Sequence, residues 1–311
     1  METTDFSIVI PVYNAEKTII ELSERLQGTL NGLSENYEIL FVDDYSRDSS
    51  WNLLKKIRKT DSRIKILHLA KNSGQHNAVL CGLRYAVGKK IIIMDDDLQN
   101  PPEEIPKLIN KSNQGYSVVY GKYLDKRQGI IQKTLGTFYH YLLHRLLDIP
   151  QDIYLSNFIL ITSDVKGHIL SIKSSYSFLT ALISKTTPRE NTANVDVLHD
   201  DRKSGESNYG ILKHVKLFSN LIIHYSSLPL QIMGFLGGII SFLSILYGLS
   251  LIIKKITNPS FGLEGWYSMM VAITLLGGLI LMSIAIIGEY IRRILVEITY
   301  SQPYILGEME L

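Results

Sequence analysis

Residues 89–106 read "KKIIIMDDDLQNPPEEIP". An apolar run, Ile91-Ile92-Ile93-Met94, leads into three consecutive carboxylates, and Pro101-Pro102 then stop the element. Three adjacent negative charges repel one another unless a cation or bound protons neutralise them. Alone, the stretch favours a solvated turn that starts a helix, because Asp or Asn ahead of Pro is ordinary helix-start chemistry. Its setting in the chain turns the reading toward a site.

The run at 89–94 is one of five of its kind. The others lie at 6–12, 37–42, 64–69 and 116–121, all rich in Ile, Val, Leu and aromatics. Such composition suits strands buried on both faces. Helical patterns fall between them at 15–30, 49–59, 75–86 and 102–112. Strand–helix alternation predicts an α/β fold, a parallel sheet covered by helices on both faces. Ligands of such sheets bind beyond the carboxyl ends of the strands. Those ends carry Pro11-Val12-Tyr13-Asn14, Asp43-Asp44, Lys71-Asn72-Ser73-Gly74-Gln75 and Asp95-Asp96-Asp97, which would share one rim.

The first strand runs into "PVYNAE" with no Gly-x-Gly-x-x-Gly turn, and no Gly-x-x-x-x-Gly-Lys loop occurs anywhere. A diphosphate bound on this rim therefore needs a metal and basic side chains to neutralise it. In an extended segment Asp95 and Asp97 share a face and Asp96 points away. Gln99 adds a neutral oxygen if the extended geometry continues. Hard oxygen ligands of this kind suit Mg²⁺ or Mn²⁺.

Composition bounds the rest. The chain has 311 residues, with Lys+Arg 32 against Asp+Glu 30, so no basic field of the kind that nucleic acid demands is present. Its one cysteine, Cys81, excludes an internal disulfide and a cysteine zinc site. The start, "METTDFSIVI", does not read as a signal peptide. Residues 230–253 and 266–287 carry no charge at all, and each is long enough to span a bilayer core. The expected organisation is a catalytic domain over 1–228 followed by a membrane hairpin over 229–311. Lys213, Lys216, Arg292 and Arg293 flank the spans, against Lys254 and Lys255 between them. The balance favours a cytoplasmic catalytic domain and tail. Residues 128–147 and 209–226 mix basic and apolar side chains and suit helices at the lipid headgroup level.

In order along the chain stand "SIVIPVYNAE", "YEILFVDDYSRDSS", "KNSGQHNAVLCGL", "MDDDLQNPPEEIP" and "RKSGESNYG", then the hairpin and "GEYIRRILVEITYSQPYI". With these the chain resembles glycosyltransferase family 2, and within it the polyprenyl-phosphate glycosyltransferases. The resemblance implies a GT-A fold that moves a sugar from a nucleotide-sugar to a polyprenyl phosphate at a lipid bilayer, by a metal-assisted inverting displacement. A homo-oligomer is compatible with it. It places Pro11, Tyr13, Asp43, Asp44, Gln75 and Asp95 at the nucleotide and Asp95, Asp97 and Gln99 at the metal and diphosphate. It also assigns Arg202 to a phosphate and Asp97, Arg202 and Asn157 to the catalytic set.

Four positions depart from the family pattern. Ala15 stands where Glu is common and Tyr45 where Gly is common. Tyr123 lies near a usual Arg, leaving Lys126, Arg127 or Lys133 to meet phosphate. Asn157 falls at an acidic position and cannot act as a base. A lipid phosphate is already largely dianionic at neutral pH, so it needs none. A polysaccharide synthase would carry Gln-x-x-Arg-Trp, and neither Trp51 nor Trp266 follows Arg. The non-catalytic alternative is a degenerate scaffold that binds nucleotide-sugar.

Overall fold

The computed structural model describes residues 4–34, 36–124, 151–172, 178–200, 228–257, 265–299 and 304–311. Lys126, Arg127, Lys133, Arg202 and the amphipathic stretches 128–147 and 209–226 lie outside them. The chain divides into two compact units, 1–208 with 300–311, and 209–299.

The first unit is a layered sheet. Strands β1 (Phe6–Val12), β2 (Tyr37–Asp43), β3 (Ile64–Leu69) and β4 (Lys90–Ile93) alternate with helices α1 (Ile19–Asn31), α2 (Ser50–Thr60) and α3 (Gln75–Tyr85). Helix α4 (Ile105–Ser112) and strand β5 (Val118–Tyr123) follow. Then come β6 (Ile159–Thr162), α5 (Ser163–Ser171), α6 (Leu179–Thr186) and β7 (Thr192–Val197). Strand β8 (Leu306–Glu310) closes the unit from the far end of the chain. The order is β7-β5-β6-β4-β1-β2-β3-β8.

The four central strands are mutually parallel, as their apolar runs predict. β2 is buried along its whole length because both faces are covered. Its Ile39 and Phe41 pack with Ile8 and Ile10 of β1 and with Leu22 and Leu26 of α1 in one core. Close approach needs glycine just before β4, where the chain passes the start of β1. A Cβ on Gly88 would lie 2.6 Å from the Ser7 nitrogen.

β6 runs antiparallel between β4 and β5, and β8 antiparallel to β3, so the sheet is mixed at its flanks. The C-terminal tail is thus part of the sheet of the first unit, whereas composition groups it with the hairpin. Its Glu308 faces His68 in the β3–β8 register, and Ala70 donates its N–H to the Ile305 carbonyl at 2.9 Å.

The second unit holds two long helices, α7 (Leu228–Thr257) and α8 (Trp266–Thr299), which touch each other. At 1.5 Å per residue each exceeds the roughly 30 Å of a hydrocarbon core. Among the described residues one stretch, Leu275–Arg292, is long and apolar enough to cross a membrane, with mean hydropathy 1.7. Large apolar side chains such as Phe235, Phe242 and Leu281 are exposed on these helices.

Candidate active site

The carboxyl ends of β4, β1 and β2 each break into a tight turn. Among the described residues three non-glycine residues have positive φ: Asn14 (55°), Tyr45 (60°) and Leu98 (62°). Each lies just past one of these three adjacent strands. Such conformations cost on the order of 1–3 kcal/mol and gather at functional sites.

The turn at Leu98 changes the expected geometry of the acidic run. β4 ends at Ile93, and the chain bends from Asp96 onward. The alternation of an extended strand therefore does not carry through to Gln99. Asp96 turns toward β1, where its Oδ2 accepts the Tyr13 N–H at 3.0 Å. Asp96 and Asp97 together line a cavity of about 450 Å³ with Tyr13, Lys17, Arg47 and Asp48. Burial pushes the Asp96 carboxyl up to about 7, against the Tyr13 hydrogen bond, and the charges of Asp95 and Asp97 add to the rise. Burial also raises Asp48, but bonds from Ser50 and from the Glu16 amide outweigh it and hold that carboxyl below its ordinary range.

Asp95 points to a different group. Its Oδ1 accepts from Gln75 Nε2 at 2.5 Å and its Oδ2 from Asn157 Nδ2 at 3.2 Å. Three of the residues singled out in the sequence thus form one network, from α3, the β4 loop and the segment before β6. Asp97 Oδ1 accepts the Gln99 N–H at 3.2 Å. Gln99 Nε2 stands 3.4 Å from His199 Nε2. His199 in turn lies on the ring of Tyr123, centroids 4.1 Å apart.

The other end of the rim is built around Asp43 and Asp44. Asp43 is fully buried; its Oδ2 bonds His68 Nδ1 at 2.7 Å and accepts the Ser46 N–H at 3.2 Å. Among the described residues its Oδ1 accepts no hydrogen bond. Asp44 accepts the Ser73 and Gly74 N–H groups at 2.6 and 2.8 Å. Burial raises its carboxyl and those amides partly offset the rise. Pro11 is a buried member of β1, whereas Tyr13 is 46% exposed at the cavity mouth. Glu16, next to the departing Ala15, accepts the Ser49 N–H at 3.1 Å and so ties the β1 and β2 loops together.

His68, Asp96 and His199 were not assigned from sequence. His199 had one visible signal, its place directly before Asp200-Asp201-Arg202. Asp95, Asp97, Gln99 and His199 offer the oxygen and imidazole donors that Mg²⁺ or Mn²⁺ accepts. Among the described residues no three acidic, His or Cys side chains already form a cage. A cation with one or two carboxylates and substrate phosphate oxygens as ligands needs no such cage.

Comparison with known proteins follows the same lines. Residues 7–170 match the model of "Glycosyl transferase family 2". The chain is 34% identical to the uncharacterized glycosyltransferase YkcC of Bacillus subtilis (strain 168), over 97% of this chain and 93% of that one. It is 31% identical to the undecaprenyl-phosphate 4-deoxy-4-formamido-L-arabinose transferase of Shewanella sediminis, over 99% and 95% of the two chains. In fold it is similar to glucosyl-3-phosphoglycerate synthase of Mycobacterium tuberculosis, crystallised with Mn²⁺, UDP-glucose and phosphoglyceric acid. The TM-score is 0.52 at 15% identity, over 70% of this chain and 79% of that one. At that identity the likeness shows a shared GT-A-like α/β architecture.

Proposed function

The chain belongs to glycosyl transferase family 2, and from that premise we propose that it moves a sugar from a nucleotide-sugar to a polyprenyl phosphate. The observation that carries the reading is the cavity at the carboxyl ends of β1, β2 and β4, floored by Asp96 and Asp97 and flanked by the Gln75–Asp95–Asn157 network. The acceptor class is supported by near full-length similarity to a transferase named for undecaprenyl phosphate.

The chemistry is one inverting displacement. A phosphate oxygen of the acceptor attacks the anomeric carbon, and the bond from that carbon to the diphosphate breaks. The electron pair leaves with the nucleoside diphosphate. The attacking phosphate arrives ionised, so no base is required, and Asn157 serves as a hydrogen-bonding positioner for Asp95. A divalent cation, when bound, stabilises the charge that grows on the diphosphate. Asp95, Asp97, Gln99 and His199 would hold it, and Arg202 and Lys133 would supply the remaining positive charge. The Asp43 end, where Oδ1 accepts no hydrogen bond among the described residues, takes the nucleoside.

The membrane reading rests on connectivity. Both ends of the apolar unit 209–299 join the same folded unit, because β8 pairs with β3. A segment that leaves and returns to one side crosses a bilayer an even number of times. If α8 spans, α7 spans with it. The flanking basic residues orient the catalytic unit toward the cytoplasm.

The test incubates the purified full chain with Mn²⁺ or Mg²⁺, undecaprenyl phosphate and a panel of labelled nucleotide-sugars. Label should move into the organic phase, and Asp97→Asn should abolish the movement. Nucleotide-sugar binding without transfer to any acceptor, or full turnover in excess chelator, would refute the mechanism.

A further inference from the structure

We propose that the C-terminal strand β8 positions the donor-nucleotide end of the site, so that nucleotide affinity depends on the seating of a tail that follows the apolar helices. The inference rests on the nucleotide reading of the Asp43 end.

The tail reaches that end through a continuous set of contacts. β8 is an edge strand whose neighbour is β3, and Glu308 stands opposite His68 in register. Lys55 Nζ pairs with Glu308 Oε2 at 2.9 Å, and Arg58 Nη2 donates to the Leu311 carbonyl at 2.9 Å. Both partners lie on α2. Lys55 also sits 5.0 Å over the ring of Trp51, and Trp51 stacks on His68 with centroids 4.7 Å apart. His68 is the residue that holds Asp43 Oδ2, and its ring lies 5.8 Å from Tyr45. A second contact runs the other way. Tyr304 is 7% exposed and packs at α3, with Arg84 5.8 Å over its ring. α3 begins with Gln75, the hydrogen-bond donor to Asp95. The tail thus braces two of the elements that present site residues, α3 directly and the β2 end through His68.

Geometry says which step should respond. Among the described residues, the side-chain bonds of the tail run to Lys55 and Arg58 of α2 and not to Asp95, Asp97, Gln99 or Asn157. Losing it should let the His68–Asp43 pair and the Trp51 stack relax, which weakens donor binding and leaves the displacement itself intact. In kinetic terms donor KM rises and kcat holds. A merely structural loss would instead lower the active fraction at constant KM.

The experiment compares the full chain, a deletion of 306–311, Glu308→Lys, and the exchanged pair Lys55→Glu with Glu308→Lys. Binding of UDP, GDP, CDP and dTDP with Mn²⁺ is measured beside inorganic diphosphate with Mn²⁺. The deletion should weaken the preferred nucleotide about tenfold and inorganic diphosphate less than twofold. Glu308→Lys should raise donor KM roughly threefold, the scale of an exposed ion pair, and the exchanged pair should recover it. If the deletion does not fold, the reversal and its exchange decide the matter. Should the unaltered chain bind its nucleotide while the tail variants bind it equally well, the positioning role falls and the nucleotide reading stands. Should the unaltered chain bind no nucleoside diphosphate, both fall together.

Discussion

Replacing Asp96 by Asn should make the metal-free protein more stable and less active. Asp96 is half-buried at the cavity wall beside two other carboxylates, and desolvation there raises its pKa to about 7 from an ordinary 3.8. The rise is close to three units, so at pH 8 the ionised group costs the folded state about 4 kcal/mol relative to the unfolded chain. The sign follows from proton uptake. The native state binds this proton more tightly than the unfolded state, so the cost is absent below about pH 4, builds as pH rises, and is complete above 7. At pH 5 the group is mostly protonated when folded, and the remaining cost is about 2 kcal/mol. An Asn carbonyl can still accept the Tyr13 N–H at this position, so the substitution removes the charge and keeps the bond. The assay is urea unfolding in chelator at pH 8 and pH 5. The protein has two tryptophans, Trp51 in α2 and Trp266 in α8, so a Trp266→Phe background isolates the signal of the catalytic unit. Asp96→Asn should gain about 2–4 kcal/mol at pH 8 and roughly half that at pH 5. Sugar transfer should fall, the usual trade when a destabilising charge serves the reaction. A variant less stable than the parent at pH 8, or a gain that does not change with pH, would refute the reasoning.

Three further outcomes are expected. Tyr45→Gly should leave stability unchanged or raise it by about 1 kcal/mol, since φ is 60° there, yet weaken donor binding through the lost contact with His68; a fall in stability of several kcal/mol in a melting series would contradict it. His76 is held down to about 4 by burial, so below pH 6.5 the unfolded chain takes up a proton that the native state refuses. The parent should lose about 2 kcal/mol relative to His76→Leu between pH 7 and pH 5, and parallel stability curves would disprove this. Gly88→Ala should cost about 3 kcal/mol because the new methyl meets the Ser7 backbone, whereas Gly28→Ala in α1, with open space around it, should gain up to about 1 kcal/mol; equal chemical denaturation midpoints for the two would overturn the packing argument.

The elements legible in the sequence are those whose side chains answer to one environment. β1, β2, β3 and β4 are buried on both faces, so their apolar runs stand out. β7, "TANVDV", and β8, "LGEME", are outer strands with polar side chains, and neither composition marks a strand. β8 also pairs with a partner more than 230 positions away, which no local pattern encodes. The site divides in the same way. The Asp95, Asp97 and Gln99 set is contiguous and could be read. His68 and His199 act across 25 and 100 positions, and a lone imidazole carries no address.

The failure of simple alternation at Asp96 has one cause, and it separates the three strained turns. Asn14 is among the residues that tolerate positive φ, and its Oδ1 accepts the Arg47 N–H of the β2 loop at 2.8 Å, which holds the turn in place. Leu98 has no such bond, but it is 1% exposed and packs in the main core, and that burial offsets its turn. Tyr45 has neither form of support. It is 46% exposed, and its ring lies 5.8 Å from that of His68, the residue that holds Asp43. A glycine would relieve the strain at that position without loss to the core. What Tyr45 adds must therefore lie in the site that it borders and not in the fold beneath it.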